Sequence, residues 1–185
     1  MTIWVALLRG VNVGGITVKS VPLRDVFIAL GFDDVRTVLA SGNVVFSAAR
    51  ADDGAFKPEA ALKAEIERAL GEEFGYAAWI VLQTRAQVDA AARGFPFDAD
   101  IAERQPMVIF GSDDLVLAEL AEAAASMNPV LDPVRLGDGA LYWNPAKGSS
   151  TTTPFAKLLA KAQYKARTTS RNLRTLEKVL AATSR

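Results

Sequence analysis

The chain has 185 residues, half of them hydrophobic, with 21 basic and 21 acidic side chains and neither histidine nor cysteine. That composition supplies a sizeable core for one large or two compact domains. It excludes disulfides, thiolate nucleophiles, Ser-His-Asp triads and zinc sites built on Cys or His.

The predicted elements begin with a strand, IWVALLR, running into the glycine-bearing loop GVNVGG. A helix follows in VPLRDVFIALG, with Leu23, Val26, Phe27 and Leu30 on one face and Gly31 as its stop. VRTVLA and NVVFS read as two strands joined at the SGN turn of residues 41–43. PEAALKAEIERALGEEFG is an amphipathic helix with Ala61, Leu62, Ile66, Ala69 and Leu70 recurring at helical spacing, and YAAWIVL closes the unit as a strand. The order β-α-β-β-α-β is the split arrangement of ferredoxin-like folds.

A short helix, RAQVDAAARG, and the loop FPFDADIAERQ lead into a partial return of that order. MVIFGS is a strand, DLVLAELAEAAAS a helix, and VRLGDGALYWN a hairpin turning at GDG. PFAKLLAKAQYKA reads as one helix with Thr153 as N-cap and Pro154 at its first position. The last helix is expected to start near Thr169 or Ser170, with Leu173, Leu176, Val179 and Leu180 buried. The expected fold class is therefore α+β, with two similar ferredoxin-like β-α-β-β-α lobes over residues 1–83 and 84–185 related by pseudo-duplication.

Charge is split along the chain. Residues 147–185 carry nine Lys or Arg against the single acid Glu177, whereas residues 1–146 carry 12 basic and 20 acidic residues. Such a split indicates an anionic partner for the basic end or complementarity within the molecule. Lys157, Lys161 and Lys165 fall at successive i, i+4 positions, which on one continuous helix makes a basic stripe beside Arg167 and Arg174. That stripe is a candidate nucleic-acid track, in which phosphate contacts would dominate.

The loop RGVNVGGITVKS resembles a P-loop only superficially, because Gly15 is followed by Ile16 and not by lysine. Its glycines allow positive φ and free backbone amides for a ligand or for another loop. In a split β-α-β lobe this loop approaches the SGN turn, bringing Arg9 and Asn12 toward Ser41 and Asn43. Arg171 and Arg174, placed in the first turn of the last helix, sit against the positive end of its dipole, a mismatch that a bound anion would reverse. Paired aspartates at 33–34, 52–53 and 113–114, with Asp98 and Asp100, occupy loops and helix starts where Asp is locally favoured, so no metal is assigned. No nucleophile lies beside a base, so neither a catalytic residue nor a cofactor is assigned.

Three motifs, LLRGVNVGG (7–15), LGFDDVRTVLASGNVVF (30–46) and TSRNLRTLEKV (169–179), together resemble a bacterial family of domain-of-unknown-function proteins, number 1697 in that series. Members of it look like L-L-R-G-I-N-V-G-G, S-G-N-V-V-F and T-x-R-N-W-x-T-V. The resemblance implies a duplicated ferredoxin-like α+β fold and carries the family's recurring polar groups onto Arg9, Asn12, Gly14, Gly15, Ser41, Gly42, Asn43, Thr169, Arg171, Asn172 and Thr175. It implies no activity. This chain departs at Val11, where relatives have Ile, at Val38 and Ala40, where they tend to Tyr and Gln, and at Leu173, where Trp is usual.

The expectation is a cytoplasmic binding module for a small phosphate-bearing or carboxylate-bearing ligand, with Arg9, Asn12, Gly14, Gly15, Ser41, Asn43, Thr169, Arg171 and Asn172 as the ligand-binding set. The alternatives are a nucleic-acid interface on Lys157, Lys161, Lys165, Arg167 and Arg174, and a purely structural role with a protein partner. No apolar run approaches the roughly 20 residues of a membrane span, and the opening MTIWVALLRG lacks a basic n-region, so neither a membrane partner nor a signal peptide is expected.

Overall fold

A strand whose alternate residues are all apolar can be buried on both faces, and β1 (Thr2–Leu8) is such a strand, with Trp4 through Leu8 all buried. The computed structural model describes residues 1–12, 17–48 and 58–184. Among them the fold is α+β, with two four-stranded antiparallel sheets and seven helices. Contacts group the chain into two units, Met1–Val88 with Lys178–Arg185, and Asp89–Glu177.

In the first unit the sheet order is β2-β3-β1-β4, with β2 Asp33–Val38, β3 Asn43–Ala48 and β4 Ile80–Thr84. β1 lies between β3, in the register Leu7↔Asn43, and β4, in the register Leu8↔Ile80. Trp4, Ala6 and Leu8 join Phe46, Ile80 and Leu82 in one core with the helices α1 (Ser20–Ala29) and α2 (Glu59–Phe74). The helices contribute Leu23, Val26 and Phe27 from α1, spaced i, i+3, i+4, and Leu62, Ile66 and Leu70 from α2, spaced i, i+4, i+8, each set on one apolar face. Burying each of these side chains contributes about 1.5–3 kcal/mol. Phe27, Phe32 and Phe46 stack as a tilted trio, the closest centroids 4.6 Å apart. Glu67 joins α2 to the start of β4: its carboxylate accepts from Ile80 N at 2.9 Å and pairs with Lys63. β4 begins at Ile80, four residues later than the sequence pattern predicts, because pairing with β1 starts only at Leu8↔Ile80.

In the second unit β5 (Met107–Gly111) is central, and the order is β6-β7-β5-β8, with β6 Val134–Leu136, β7 Leu141–Trp143 and β8 Thr168–Asn172. The β6–β7 hairpin turns at Asp138-Gly139, closed by Gly137 N donating to Ala140 O at 2.9 Å. A short helix, α3 (Arg85–Arg93), precedes this sheet in the chain. Val116, Leu117 and Leu120 of α4 (Asp114–Ala125) pack with Ile109, Leu141, Trp143 and Phe155. The buried Asp132 carboxylate accepts from the Trp143 indole N–H at 2.9 Å and from Phe155 N at 3.0 Å, which ties β7 to the first turn of α5 (Pro154–Leu159). Thr153 caps α5 as predicted, accepting from Ala156 N at 3.2 Å.

Two predicted elements are corrected. The expected helix over 154–166 is divided into α5 and α6 (Ala162–Lys165), because Lys161 takes an extended conformation with ψ 140°. The start expected for the last helix at Thr169 or Ser170 is instead β8, whose residues pair with β5 from Thr168↔Gly111 to Asn172↔Met107. The last helix, α7, runs Leu173–Ala182 and is capped by Asn172, whose Oδ1 accepts from Arg174 N at 3.0 Å.

Gly42 adopts φ +70°, and a Cβ there would meet Val11 Cγ2 at 2.5 Å and Leu8 Cβ at 2.9 Å. Gly42→Ala is expected to destabilise the fold by about 1–3 kcal/mol, read as a lower urea midpoint at unchanged m-value; an unaltered midpoint would show that the turn is not locked against β1.

Asp113 caps α4 by accepting from Val116 N at 3.0 Å. Hydrogen bonds from the Ser112 hydroxyl and Val116 N, followed by Arg167, hold its carboxyl down to about 2. A depressed carboxyl contributes stability that is present above its unfolded value near 4 and lost as pH falls toward 2. Asp113→Ala is expected to cost about 0.5–2 kcal/mol at neutral pH. Thermal midpoints of variant and wild type should then converge as pH is lowered through that window, and parallel curves would rule out the carboxylate charge as the source.

Candidate functional site

The C-terminal end of β1 is where the first unit gathers the polar residues singled out in its sequence. Leu8 N donates to Gly42 O at 2.8 Å, drawing the β2–β3 turn against the strand end. Asn12 has φ +56°, a left-handed conformation that asparagine tolerates better than most residues. Its Oδ1 accepts from Val18 N at 3.0 Å, and its Nδ2 donates to Val18 O at 3.3 Å and to Ala40 O. One side chain thus joins residue 12 to residue 18 and to the turn at Ala40. Asn43 is fully buried, and its Nδ2 donates to Val38 O at 2.7 Å and to Ser41 Oγ at 2.9 Å. Arg9, Asn12, Ser41 and Asn43 therefore share one corner. Gly14 and Gly15, predicted for the same site, lie outside the described residues.

Arg9 gives this corner its charge. Its backbone N donates to Trp79 O at 3.1 Å, and its guanidinium lies 5.8 Å from the centroid of the Trp79 ring. Burial lowers its pKa, because a partly desolvated guanidinium loses hydration in its charged form. Lys63 approaches the same ring at 4.7 Å, but its ammonium is taken by Glu67 and by Ile80 O at 2.6 Å. No carboxylate among the described residues pairs with Arg9. Trp79 and Lys63 were not read as site residues from sequence. The available signal was a tryptophan at the entrance of a strand expected beside the one that ends in Arg9.

The remaining predicted residues belong to the second unit. Arg171 lies on β8 opposite Val108 and not in a helical turn. Its Nη1 donates to Thr169 Oγ1 at 2.8 Å and to Ser170 O at 3.0 Å. Burial to 6 % exposure lowers its pKa to about 10, which leaves it charged at neutral pH. Thr169 is buried beside it, and Asn172 caps α7. Only Arg174 occupies the first helical turn, so the dipole mismatch expected for two arginines applies to one.

The lysines read as a basic stripe do not share one continuous helix. Lys157 lies on α5, Lys161 in the extended break and Lys165 at the end of α6, so the i, i+4 stripe does not form. Arg167 donates to both Asp113 oxygens at 3.2 Å and lies 3.7 Å from Glu119. Its charge is matched within the unit.

No curated protein matches the chain. A solved structure, that of the conserved bacterial protein SP0830 from Streptococcus pneumoniae, is similar at 21% identity with a TM-score of 0.78, and the match covers 98% of each chain. At that identity the likeness shows a shared fold. The family model matches residues 1–142, which include the first two motifs and stop short of the third. The chain belongs to that family, the proteins of unknown function called DUF1697.

Proposed function

We propose that the protein is a binding module for a small anionic ligand, phosphate-bearing or carboxylate-bearing, held at the end of β1 in the first unit. The observation that carries this reading is Arg9, a partly desolvated guanidinium resting on the Trp79 ring with no carboxylate opposite it among the described residues. A partly desolvated cation is stabilised by a neighbouring anion more than a fully exposed one would be. The cation–π contact with Trp79 offsets part of that cost and orients the guanidinium. Asn12 and Asn43 have amides committed to backbone and to Ser41, so their role is to hold the turn against the end of β1, where Arg9 follows Leu8.

The corresponding strand orders, β2-β3-β1-β4 and β6-β7-β5-β8, support reading the two units as ferredoxin-like lobes related by duplication. A cytoplasmic setting is supported by the absence of cysteine.

The test is a thermal-shift panel of inorganic phosphate, a mononucleotide and citrate at fixed ionic strength. A bound ligand at 100 times its Kd raises stability by about 2.7 kcal/mol, so the wild-type midpoint is expected to rise with one ligand class. Arg9→Gln should remove the rise. A wild type that ignores the panel, or an Arg9→Gln variant that keeps the full response, overturns the reading.

A further inference from the structure

The second unit contains a cleft of about 350 Å³ that none of the sequence motifs identified as a whole. Its frame is backbone pairing. Gln105 N donates to Pro145 O at 2.9 Å, and Lys147 N to Glu103 O at 2.7 Å, so the segment over 103–105 is zipped to the one over 145–147. Leu173 N donates to Pro106 O at 2.9 Å, which brings the capped start of α7 to the same place. Three stretches far apart in sequence thereby deliver Gln105, Lys147, Asn172 and Arg174 to one cavity, with Ile101 and Pro106 as apolar wall.

The electrostatics of the cleft are one-sided. Lys147 and Arg174 line it, and neither takes part in an ion pair among the described residues. No Asp or Glu lines it. Asp98, Asp100 and Glu103 adjoin the lining residues in sequence, and none of them lines the cleft. Arg104 also lines the cleft, but its guanidinium already donates to Val130 O at 3.2 Å and Asn144 O at 3.1 Å, so it serves as structure. The Asn172 carbonyl oxygen is used in capping α7, which leaves its Nδ2 as a donor, and the Gln105 amide is likewise unoccupied among the described residues.

Two unmatched cations and two amide donors lining one cleft with apolar Ile101 and Pro106 define a ligand by chemistry. A phosphate monoester carries a charge of about −1.5 to −2 at pH 7 and three strong acceptor oxygens, which matches two cations better than a monoanionic carboxylate does. Arginine offers forked donors to such a group, and lysine a point charge. The size of the cleft suits a small molecule, whereas a polynucleotide needs a track, and the lysines that would have extended one do not share a continuous helix.

We propose that this cleft is a binding site for a small organic phosphate monoester, with its head on Lys147, Arg174, Gln105 and Asn172 and its organic portion against Ile101 and Pro106. It shares no residue with the corner at Arg9 and stands whether or not that corner binds a ligand.

The test titrates phenyl phosphate into the full chain while following backbone amide resonances, with benzoate and an oligonucleotide lacking terminal phosphates as comparison ligands. Phenyl phosphate is expected to saturate, with shifts concentrated over residues 101–106, 147 and 172–175. The double variant Lys147→Gln/Arg174→Gln should weaken the binding read from those resonances by about tenfold or more, the loss expected for two charge-assisted contacts. Both positions are exposed, so the variant is expected to keep the wild-type melting temperature, and Lys147→Gln alone provides a second, smaller effect. The absence of saturating shifts over residues 101–106, 147 and 172–175, a double variant in which those shifts saturate as readily as in wild type, or benzoate shifting them equally would overturn the proposal. Tighter binding of the oligonucleotide would overturn it in favour of a nucleic-acid surface.

Discussion

A side-chain amide that is buried must find partners, and the arrangement at the end of β1 depends on that constraint at Asn43. Leaving such a group without hydrogen bonds costs about 1–3 kcal/mol. Asn43 meets the demand by donating to Val38 O and Ser41 Oγ, which fixes the ends of the β2–β3 turn relative to one another. The turn then presents Gly42 O to Leu8 N and Ala40 O to Asn12. Gly42 completes the lock from the other side, since Val11 and Leu8 occupy the space a larger residue would need. Residues 9–12 after β1 are held at the turn as a consequence, Arg9 among them.

Cations in this protein are distinguished by how the fold compensates them. Arg167 sits between Asp113 and Glu119, a surface pairing of modest strength that helps secure the cap of α4. Lys63 is neutralised by its i, i+4 neighbour Glu67, and the same carboxylate ties α2 to β4. Arg171 is enclosed on β8 with hydroxyl and carbonyl acceptors at hand. Arg9 has an aromatic face, while Lys147 and Arg174 line a cleft free of carboxylates. The charge asymmetry along the sequence is thus resolved locally at some positions and left open at others, and the open positions are where anionic ligands are proposed.

Much of the first unit was legible from pattern alone. The apolar faces of α1 and α2 follow helical spacing, and they are the faces that pack on the sheet. Thr153 followed by Pro154 marks the start of α5 through local stereochemistry that no distant contact is needed to establish. The approach of the loop after β1 to the SGN turn was also readable, because adjacent antiparallel strands bring those ends together. The amide bonds of Asn12 and Asn43 were not, since the same residue types serve equally well on a ligand.

Residues 154–174 show where local reading ends. Leu173, Leu176 and Val179 mark α7 correctly, but the residues before it are short, polar or β-branched and suit either a frayed helix start or a strand. The open edge of β5 decided the matter: its unpaired backbone groups are satisfied by β8, and that non-local pairing moved Arg171 out of the helix. Lys157, Lys161 and Lys165 keep helical spacing in sequence yet lose their common face because the chain extends at Lys161. By itself the sequence determined the α+β class, the family, most element positions and the residues able to carry charge, because propensity, caps and apolar periodicity act over a few residues. Only the tertiary structure decided which of those charges are matched and which line a cavity, because ion pairs, edge-strand pairing and clefts are made by residues tens of positions apart.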